Sequence, residues 1–264
     1  FSRMVVETPK RLDLLMEKIG IDRTAVNDWM DVATKIYLPK PEPDSLLIEQ
    51  CDDFFKLEKI TPNELRKRLI DPEEYWGWPN GIAVETQVLK QADLLQLFVL
   101  LDDMFSPAVM RANYDYYEPL TEHGSSLSPS VHAIVAAWAG YEDQAFQYFM
   151  EAAAIDLYNA SKKVMSGGSF LGGIHTAAAG GVWLMIVKGF AGFKIVNDVL
   201  HFRPALPEKW AACSFILVFH DNQVRVKLTQ EAFRLISPTL NTRIFDIHIG
   251  GKTYQLEPGK ELLL

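Results

Sequence analysis

The sequence predicts a mainly helical domain followed by a small domain of antiparallel β-strands, and two periodicities support this fold class. Up to about residue 190, apolar side chains recur at spacings of three and four residues, which is typical of helices with a buried face. Beyond residue 191, apolar and polar side chains alternate, which is typical of half-buried strands. We therefore predict two domains, residues 1–192 and 193–264.

The helical part is predicted to end in a series of helices joined by short loops, as in arrays of helical hairpins. The first, VETQVLKQADLLQLFVLL (84–101), is apolar around nearly its whole circumference, which predicts burial on several sides. Three more helices are predicted at 106–117, 129–141 and 142–157. The Pro- and aromatic-rich segment 38–82 instead predicts long ordered loops with one short helix.

The C-terminal part is predicted to consist of hairpins. SFILVFHDNQVRVKL (214–228) predicts two strands around a turn, and FDIHIGGKTYQLE (245–257) predicts a second hairpin around Gly250–Gly251. VLHFRPALPEKW (199–210) predicts a further strand and a loop marked by proline.

Composition argues against several classes of protein. The net charge of −8 and the pI of about 5.3 argue against a nucleic-acid-binding surface, because phosphate backbones require a basic face. No stretch predicts a membrane span or a signal peptide. Cys51 and Cys213 lie far apart and form no disulfide framework or metal motif, which favours a reducing, cytoplasmic location. The chain opens within an amphipathic pattern, and we interpret it as part of a longer protein.

The stretch EPLTEHGSSLSPSVH (118–132) gathers hydroxyls and imidazoles between apolar helices. Ser128 followed by proline predicts a helix start with Ser128 as the N-cap. Ser125 and Ser126 would then precede a helix N-terminus, where free amides and the helix dipole favour an anion, and Gly124 would let the backbone approach it. The alternative is an ordinary N-cap with serines that face water.

A second Gly-rich loop, SGGSFLGGIHTAAAGG (166–181), leads into an apolar helix with His175 in its first turn. An imidazole there can donate to an anion that the helix amides also bind. The alternative is a histidine that satisfies a buried carbonyl, beside glycines that permit tight helix packing. Two such helix starts in one domain favour a shared small anion.

Lys90 and Gln91 lie within the predicted helix 84–101, where they would project into a pocket and bind sugar hydroxyls. The alternative is an ion pair between Lys90 and Asp93. The loop YWGWPN (75–80) offers Trp76 and Trp78 for stacking on a sugar ring, or for ordinary loop packing. The sequence contains no metal-ligand cluster, nucleophile elbow or nucleotide-binding fingerprint.

Several segments, in this order, resemble the α-glucoside phosphorylases of glycoside hydrolase family 65: LKQADLLQLFVLLDD, YDYYEPLTEHGSSLSPSVHAIVAAWAG, GGIHTAAAGGVWLMIVKGFAGFKI and LHFRPALPEKW. The resemblance implies part of an (α/α)6 catalytic barrel over residues 1–192 and a C-terminal β-sandwich over 193–264. It implies inverting phosphorolysis of an α-glucoside to β-glucose 1-phosphate. WPNGIAVETQVLKQAD is most similar to the kojibiose and glucosylglycerol branch.

The resemblance also implies the site residues. Lys90 and Gln91 match the pair that contacts the glucosyl unit, and Ser125, Ser126 and His175 match regions that bind phosphate. The general acid, a Glu, is expected upstream of this chain, so we expect the isolated chain to be inactive and to need the N-terminal part of the same protein. No cofactor is implied, because phosphate is a substrate, and the full-length protein is expected to be a homodimer.

Two alternatives stay open at this stage. A hydrolase of the same family, such as an acid trehalase, would need a carboxylate base at the anion loop, and HGSSLSPS offers none. A non-catalytic sugar-binding fragment is the other alternative.

Overall fold

The computed structural model describes residues 16–71, 74–77, 79–158 and 173–264. Contacts divide the chain into two compact units, residues 1–40 and 41–264. The described part of the first unit contains helix α1 (Arg23–Lys35). Asp22 is its N-cap, and the Asp22 carboxylate accepts from Ala25 N at 2.9 Å. Trp78 and the first residues of the Gly-rich loop, 166–172, lie outside the described residues.

Helices make up the first part of the second unit and share one apolar core, in which Phe98, Tyr114 and Ile134 are fully buried. The last of these helices, Thr176–Leu184, continues into a π-helix, Met185–Phe190. The helices are α2 (Pro62–Arg66), α3 (Asp93–Leu100), α4 (Pro107–Tyr117), α5 (Ser128–Ala139), α6 (Glu142–Ala154) and α7 (Thr176–Leu184). The predicted mainly helical class is thereby confirmed. None of the described helices is long and apolar enough to cross a lipid bilayer.

The predicted helix 84–101 is wrong over its first half, because α3 begins only at Asp93. Residues 84–92 instead form turns and bends, in which isolated β-bridges join Thr86 to Glu58 and Leu89 to Thr121. Gln87 is 2% exposed. Its amide donates to the carbonyls of residues 55 and 57, at 3.3 and 3.0 Å. These long-range bonds outweigh the helical pattern of the segment.

A buried amide connects the loop around residue 48 to α4. Asn113 Oδ1 accepts from Ile48 N at 2.8 Å, and its Nδ2 donates to the carbonyls of Leu46 and Val109, both at 2.8 Å. Tyr117 donates to the Ile48 carbonyl at 2.6 Å. The long predicted loop is therefore ordered by side chains of a helix distant in sequence.

The C-terminal part forms a two-sheet β-sandwich, which confirms the second half of the predicted fold class. One sheet has the order β1-β2-β6-β7 and the other β3-β4-β5-β8, and every pair is antiparallel except β2 with β6. The strands are β1 (Lys194–Val196), β2 (Val199–Phe202), β3 (Ala212–Phe219), β4 (Asn222–Thr229), β5 (Phe233–Ile236), β6 (Phe245–Ile249), β7 (Lys252–Leu256) and β8 (Glu261–Leu263). Their inward side chains form a second apolar core.

Three hairpins of the sandwich turn through two residues that both have positive φ, which is typical of type I′ turns. The predicted Gly250–Gly251 turn is one of them. The others are Asn197–Asp198 and His220–Asp221. Asp198 connects two of these turns, since its carboxylate bonds to His220 Nε2 at 2.7 Å and forms an ion pair with Arg243.

Candidate active site

Helices α5 and α7 lie side by side and run in the same direction. A Cβ atom added to Gly181 in α7 would stand 2.6 Å from the Ser130 hydroxyl in the first turn of α5. One added to Gly189, in the π-helix that continues α7, would stand 3.7 Å from Ile134 Cγ1 and 3.9 Å from Ala137 Cβ. A later residue of the α7 segment contacts later residues of α5, so the two helices are parallel and both N-termini lie at the same end of the pair.

The C-terminal ends of three helices meet at Lys188. Its Nζ donates to the Val99 carbonyl near the end of α3, at 3.1 Å, and its own carbonyl accepts from Trp138 Nε1 near the end of α5, at 2.8 Å. Because Lys188 lies in the π-helix that continues α7, the last turns of all three helices stand together. A cation beside the carbonyls of a helix C-terminus is electrostatically favourable.

The N-terminal ends of α3 and α5 also meet. Gly124 N donates to the Lys90 carbonyl at 2.9 Å. A Cβ on Gly124 would stand 3.4 Å from Lys90 Cγ and would displace the end of the flexible Glu122 side chain. All five predicted binding residues thus stand just before three helix N-termini that lie at one end: Lys90 and Gln91 before α3, Ser125 and Ser126 before α5, and His175 before α7.

Lys90 and Gln91 lie in a bend just before α3, and not on a helix as predicted. Both residues are exposed. Gln91 Nε2 donates to the Asp93 carboxylate in the first turn of α3, at 2.8 Å, and Gln50 reaches the same carboxylate at 3.4 Å. Within the described residues, no ion pair joins Lys90 to Asp93. The first turn of α3 therefore orients Gln91, and the Lys90 main chain is fixed by Gly124.

Ser125 and Ser126 are half-buried in the loop before α5. Ser128 N donates to the Ser125 carbonyl at 3.0 Å, and Leu127 N approaches the Ser125 hydroxyl at 3.4 Å. The predicted placement of this loop directly before a helix is confirmed. The predicted N-cap is wrong, because the helix already begins at Ser128 and no side chain caps it.

The same Ser-Pro dipeptide behaves differently at α4. There Ser106 is the N-cap, with an extended backbone, and its Oγ accepts from Val109 N at 3.3 Å. At α5, the Ser128 hydroxyl is instead hydrogen-bonded to His123 Nδ1 at 2.9 Å. The rule that Ser before Pro caps a helix thus holds at one helix, and a histidine overrides it at the other.

His175 precedes α7 and is bound by Asp156, which follows the end of α6. The Asp156 carboxylate accepts from His175 Nδ1 at 2.7 Å and from His175 N at 2.9 Å. Since an ionised carboxylate only accepts, Nδ1 carries a proton and Nε2 is the ring nitrogen that can meet a ligand. His175 is predicted in the first turn of α7, whereas in the structure it is the residue directly before this helix. Sequence analysis missed Asp156.

Sequence analysis also missed the role of His123, whose ring connects the loop to α6. Its Nε2 is 3.0 Å from the Tyr148 hydroxyl, in addition to the contact of Nδ1 with Ser128. Tyr148 donates to Glu118 Oε1 at 2.7 Å, and Gln144 donates to the same oxygen at 2.8 Å. His123 has a φ of 57°, which is uncommon for a residue with a side chain.

His132, on α5, packs against His123 with ring centroids 4.5 Å apart and is fully buried. Within the described residues, neither of its ring nitrogens has a hydrogen-bond partner. Burial, and then the neighbouring His123, hold the pKa of His132 well below its usual range, so the ring is neutral. Burial, and then the hydrogen bond to Glu118, raise the pKa of Tyr148, so this hydroxyl keeps its proton.

A cleft of about 420 Å³ lies at the other end of α5 from these residues. It is lined by residues 140–144 and 207–209 together with Phe146. None of the predicted binding residues lines it, so we assign it no part in the candidate site. Among the residues that the structure describes, no group of His, Cys, Asp and Glu could hold a metal ion.

Comparison with models of known protein families accounts for most of the chain. Residues 3–184 match the model for the glycosyl hydrolase family 65 central catalytic domain. The chain belongs to glycosyl hydrolase family 65. Residues 193–256 match the C-terminal domain of the same family. The predicted family is confirmed, whereas the exact boundary between residues 192 and 193 stays a prediction.

Three relatives of the chain carry names of phosphorylases. The chain is 39% identical over 249 residues to 1,2-alpha-glucosylglycerol phosphorylase of Bacillus selenitireducens, and the match covers 94% of this chain and 32% of that protein. It is 39% identical over 201 residues to nigerose phosphorylase of Lachnoclostridium phytofermentans, covering 76% and 27%. Kojibiose phosphorylase of Halothermothrix orenii is 37% identical over 220 residues, covering 83% and 27%. The chain thus spans 27–32% of the length of these relatives.

A solved structure has a similar fold. It is described as a candidate kojibiose phosphorylase from the human microbiome, is 31% identical in sequence, and superposes with a TM-score of 0.76. The match covers 96% of this chain and 36% of the solved chain. It supports the predicted fold class, part of an (α/α)6 barrel followed by a β-sandwich.

Proposed function

We propose that the whole protein carries out inverting phosphorolysis of an α-linked glucoside, either a kojibiose-like disaccharide or glucosylglycerol, to β-glucose 1-phosphate and a free acceptor. This chain supplies the phosphate site and part of the sugar site. The observation that carries the proposal is the placement of all five predicted residues before three helix N-termini at one end. Membership of family 65 and the names of the relatives support it.

Ser125, Ser126 and His175 are proposed to bind the phosphate. Main-chain N–H groups and the positive ends of two helices favour an anion at this place. Two features of the chain support this role. No side chain caps α5, and Asp156 holds the His175 ring so that Nε2, in the imidazolium form, can donate to a phosphate oxygen.

Lys90 and Gln91 are proposed to bind hydroxyls of the glucosyl unit. The hydrogen bond from Gly124 N to the Lys90 carbonyl holds the two proposed sugar-binding residues next to the loop that contains Ser125 and Ser126. This proximity is required by the chemistry, because the phosphate must contact the anomeric carbon directly. Gln91 is already oriented by Asp93.

The reaction needs no base carboxylate in this chain. A phosphate oxygen bonds to the anomeric carbon while the glycosidic C–O bond breaks, and the leaving oxygen takes a proton from a general acid. The resemblance places that acid, a Glu, outside this chain, so we propose that the 264-residue chain alone is inactive. We also propose that the whole protein is a cytoplasmic homodimer, with phosphate as a substrate and no cofactor.

Initial rates of the whole protein on a panel of glucose disaccharides and glucosylglycerol, with and without phosphate, test the proposal. We expect β-glucose 1-phosphate to form only when phosphate is present. His175→Ala should raise the KM for phosphate more than the KM for the glucoside. Ser106→Ala, which removes a serine at the start of α4, is the matched control and should change neither. Phosphate-independent release of glucose would contradict the proposal.

A family hydrolase is the second candidate, and Glu122 is the observation that favours it. Its carboxylate lies against Gly124, in the loop where a hydrolase needs a base, although Arg66 approaches it at 4.0 Å. Free glucose as the product, abolished by Glu122→Gln, would establish this function. If no panel member is turned over under either condition, the non-catalytic sugar-binding alternative is favoured.

A further inference from the structure

Two helices of this chain begin with the same dipeptide, Ser-Pro, yet one is capped by its serine and the other is not. At α4, Ser106 caps and the helix begins one residue later, at Pro107. At α5, the helix begins at Ser128, whose hydroxyl bonds to His123 and caps nothing. The difference between the two helix starts lies outside the dipeptide, in the residue that holds the serine hydroxyl.

The hydrogen bonds around His123 run in one direction. Tyr148 has a single hydroxyl proton, which it donates to Glu118. The Tyr148 oxygen therefore accepts from His123, so Nε2 is the protonated nitrogen of the ring. In the neutral ring Nδ1 then accepts, and the Ser128 hydroxyl donates to it. The series of hydrogen bonds ends at Glu118, which also accepts from Gln144. The donor and acceptor of each hydrogen bond in the series are therefore determined by the following one.

We propose that His123 is a positioning residue of the phosphate-binding loop: it holds the Ser128 hydroxyl away from the start of α5, which leaves this helix N-terminus uncapped for the phosphate. The inference rests on the proposed function. Tyr148 and Glu118 anchor the ring from α6 and from the segment before the loop. His123 does not itself contact the reacting atoms in this account; it determines what the helix end can bind.

The variant His123→Gly tests the role of the imidazole. His123→Gly removes the ring without straining the backbone, because glycine adopts a φ of 57° freely. Without the ring, Ser128 can leave the first position of α5, become extended and cap the helix as Ser106 caps α4, in competition with phosphate. A serine cap contributes about 1 kcal/mol, which corresponds to about a fivefold change in an equilibrium constant. We expect the KM for phosphate to rise about fivefold and the KM for the glucoside to stay unchanged.

The double variant His123→Gly/Ser128→Ala tests the mechanism directly. It has no hydroxyl with which to cap the helix, so the KM for phosphate should return to near the wild-type value. Ser128→Ala alone should leave this KM nearly unchanged. His123→Asn places an amide where Nδ1 stood and tolerates positive φ. It should keep the Ser128 bond and behave like the wild type.

The measurements are initial rates of the whole protein at varied phosphate and saturating glucoside. If His123→Gly leaves the KM for phosphate unchanged, or if Ser128→Ala fails to restore it in that background, the inference is overturned. Should His123→Gly not fold, His123→Gln replaces it, since its longer amide reaches towards Tyr148 and not Ser128, and the same expectation applies. If the wild-type protein shows no phosphate-dependent turnover, the proposed function itself is wrong. If the wild type is active and only the variants give the contrary result, the proposed function stands and this inference alone fails.

Discussion

The contact between α5 and α7 can be tested with two neighbouring glycines. Gly180 and Gly181 are adjacent in α7, but only one of them faces α5. A Cβ on Gly181 would lie 2.6 Å from Ser130 Oγ and 2.7 Å from Ser130 Cβ, whereas nothing lies within 4 Å of a Cβ on Gly180. Ser130 is 5% exposed, so its side chain has little room to move away.

The two alanine variants should therefore change stability in opposite directions. Both lower the conformational entropy of the unfolded chain and improve helix propensity, which is worth about 0.5–1 kcal/mol. Gly180→Ala should gain this amount in the free energy of unfolding. Gly181→Ala should in addition suffer overpacking against Ser130, which costs about 1–3 kcal/mol. The difference between the two variants isolates the steric contribution, because the propensity gain is common to both.

Urea unfolding of the whole protein, followed by circular dichroism, measures the two free energies. Measured against Ser130→Gly alone, which itself loses the hydrogen bond to the Leu127 carbonyl, the added Gly181→Ala change should show little steric cost, because both atoms that the new methyl group would meet are gone. If both alanine variants are stabilised equally, α5 and α7 are not in contact at Ser130. The argument that their N-termini lie at one end would then fail.

Three further substitutions test other parts of the fold. Asn113→Ala should lower the free energy of unfolding by about 1–3 kcal/mol for each buried group it leaves unpaired, such as Ile48 N; an unchanged melting temperature would contradict this. Lys188→Met keeps the apolar stem and loses the charged hydrogen bond at the end of α3, so urea unfolding should show a loss of about 1.5–3 kcal/mol. The hydrogen bond from His220, followed by Arg243, holds the pKa of Asp198 below its usual range, so its stabilisation is present above the unfolded pKa and is lost as the pH falls through the folded pKa. Asp198→Asn should melt earlier than the wild type at pH 7 and equally at a pH below that folded pKa; a difference that persists in acid would refute this linkage.

Elements with a local signal were predicted from the sequence with small errors at their ends. The predicted helix 106–117 is α4 (Pro107–Tyr117), and the predicted hairpin 245–257 is β6 and β7 around two glycines with positive φ. The segment 84–92 failed because its apolar spacing suits a helix while the buried Gln87 amide binds carbonyls about 30 positions earlier. Periodicity carries no information about such partners.

The candidate site divides in the same way. A hydroxyl-rich loop and a Gly-rich loop before apolar helices are local features, so the sequence could place Ser125 and Ser126 before a helix and His175 within one residue of a helix start. The partners around the site cannot be read from spacing, because Asp156 binds His175 across 19 positions and Tyr148 contacts His123 across 25. His123 even reverses the expectation for Ser128, because a bond to an imidazole outcompetes the local capping preference.

Three parallel helices with their N-termini at one end also affect how fast an anion arrives. The chain has a net charge of −8, which repels a phosphate dianion over a Debye length of about 10 Å at 0.1 M salt. The helix ends attract it only within about one turn. The distant and the local fields thus have opposite signs, and dissolved salt screens mainly the distant one. The phosphate proposed to bind there should therefore associate faster with this chain as ionic strength rises, the reverse of the behaviour of a protein that draws its ligand in by long-range attraction.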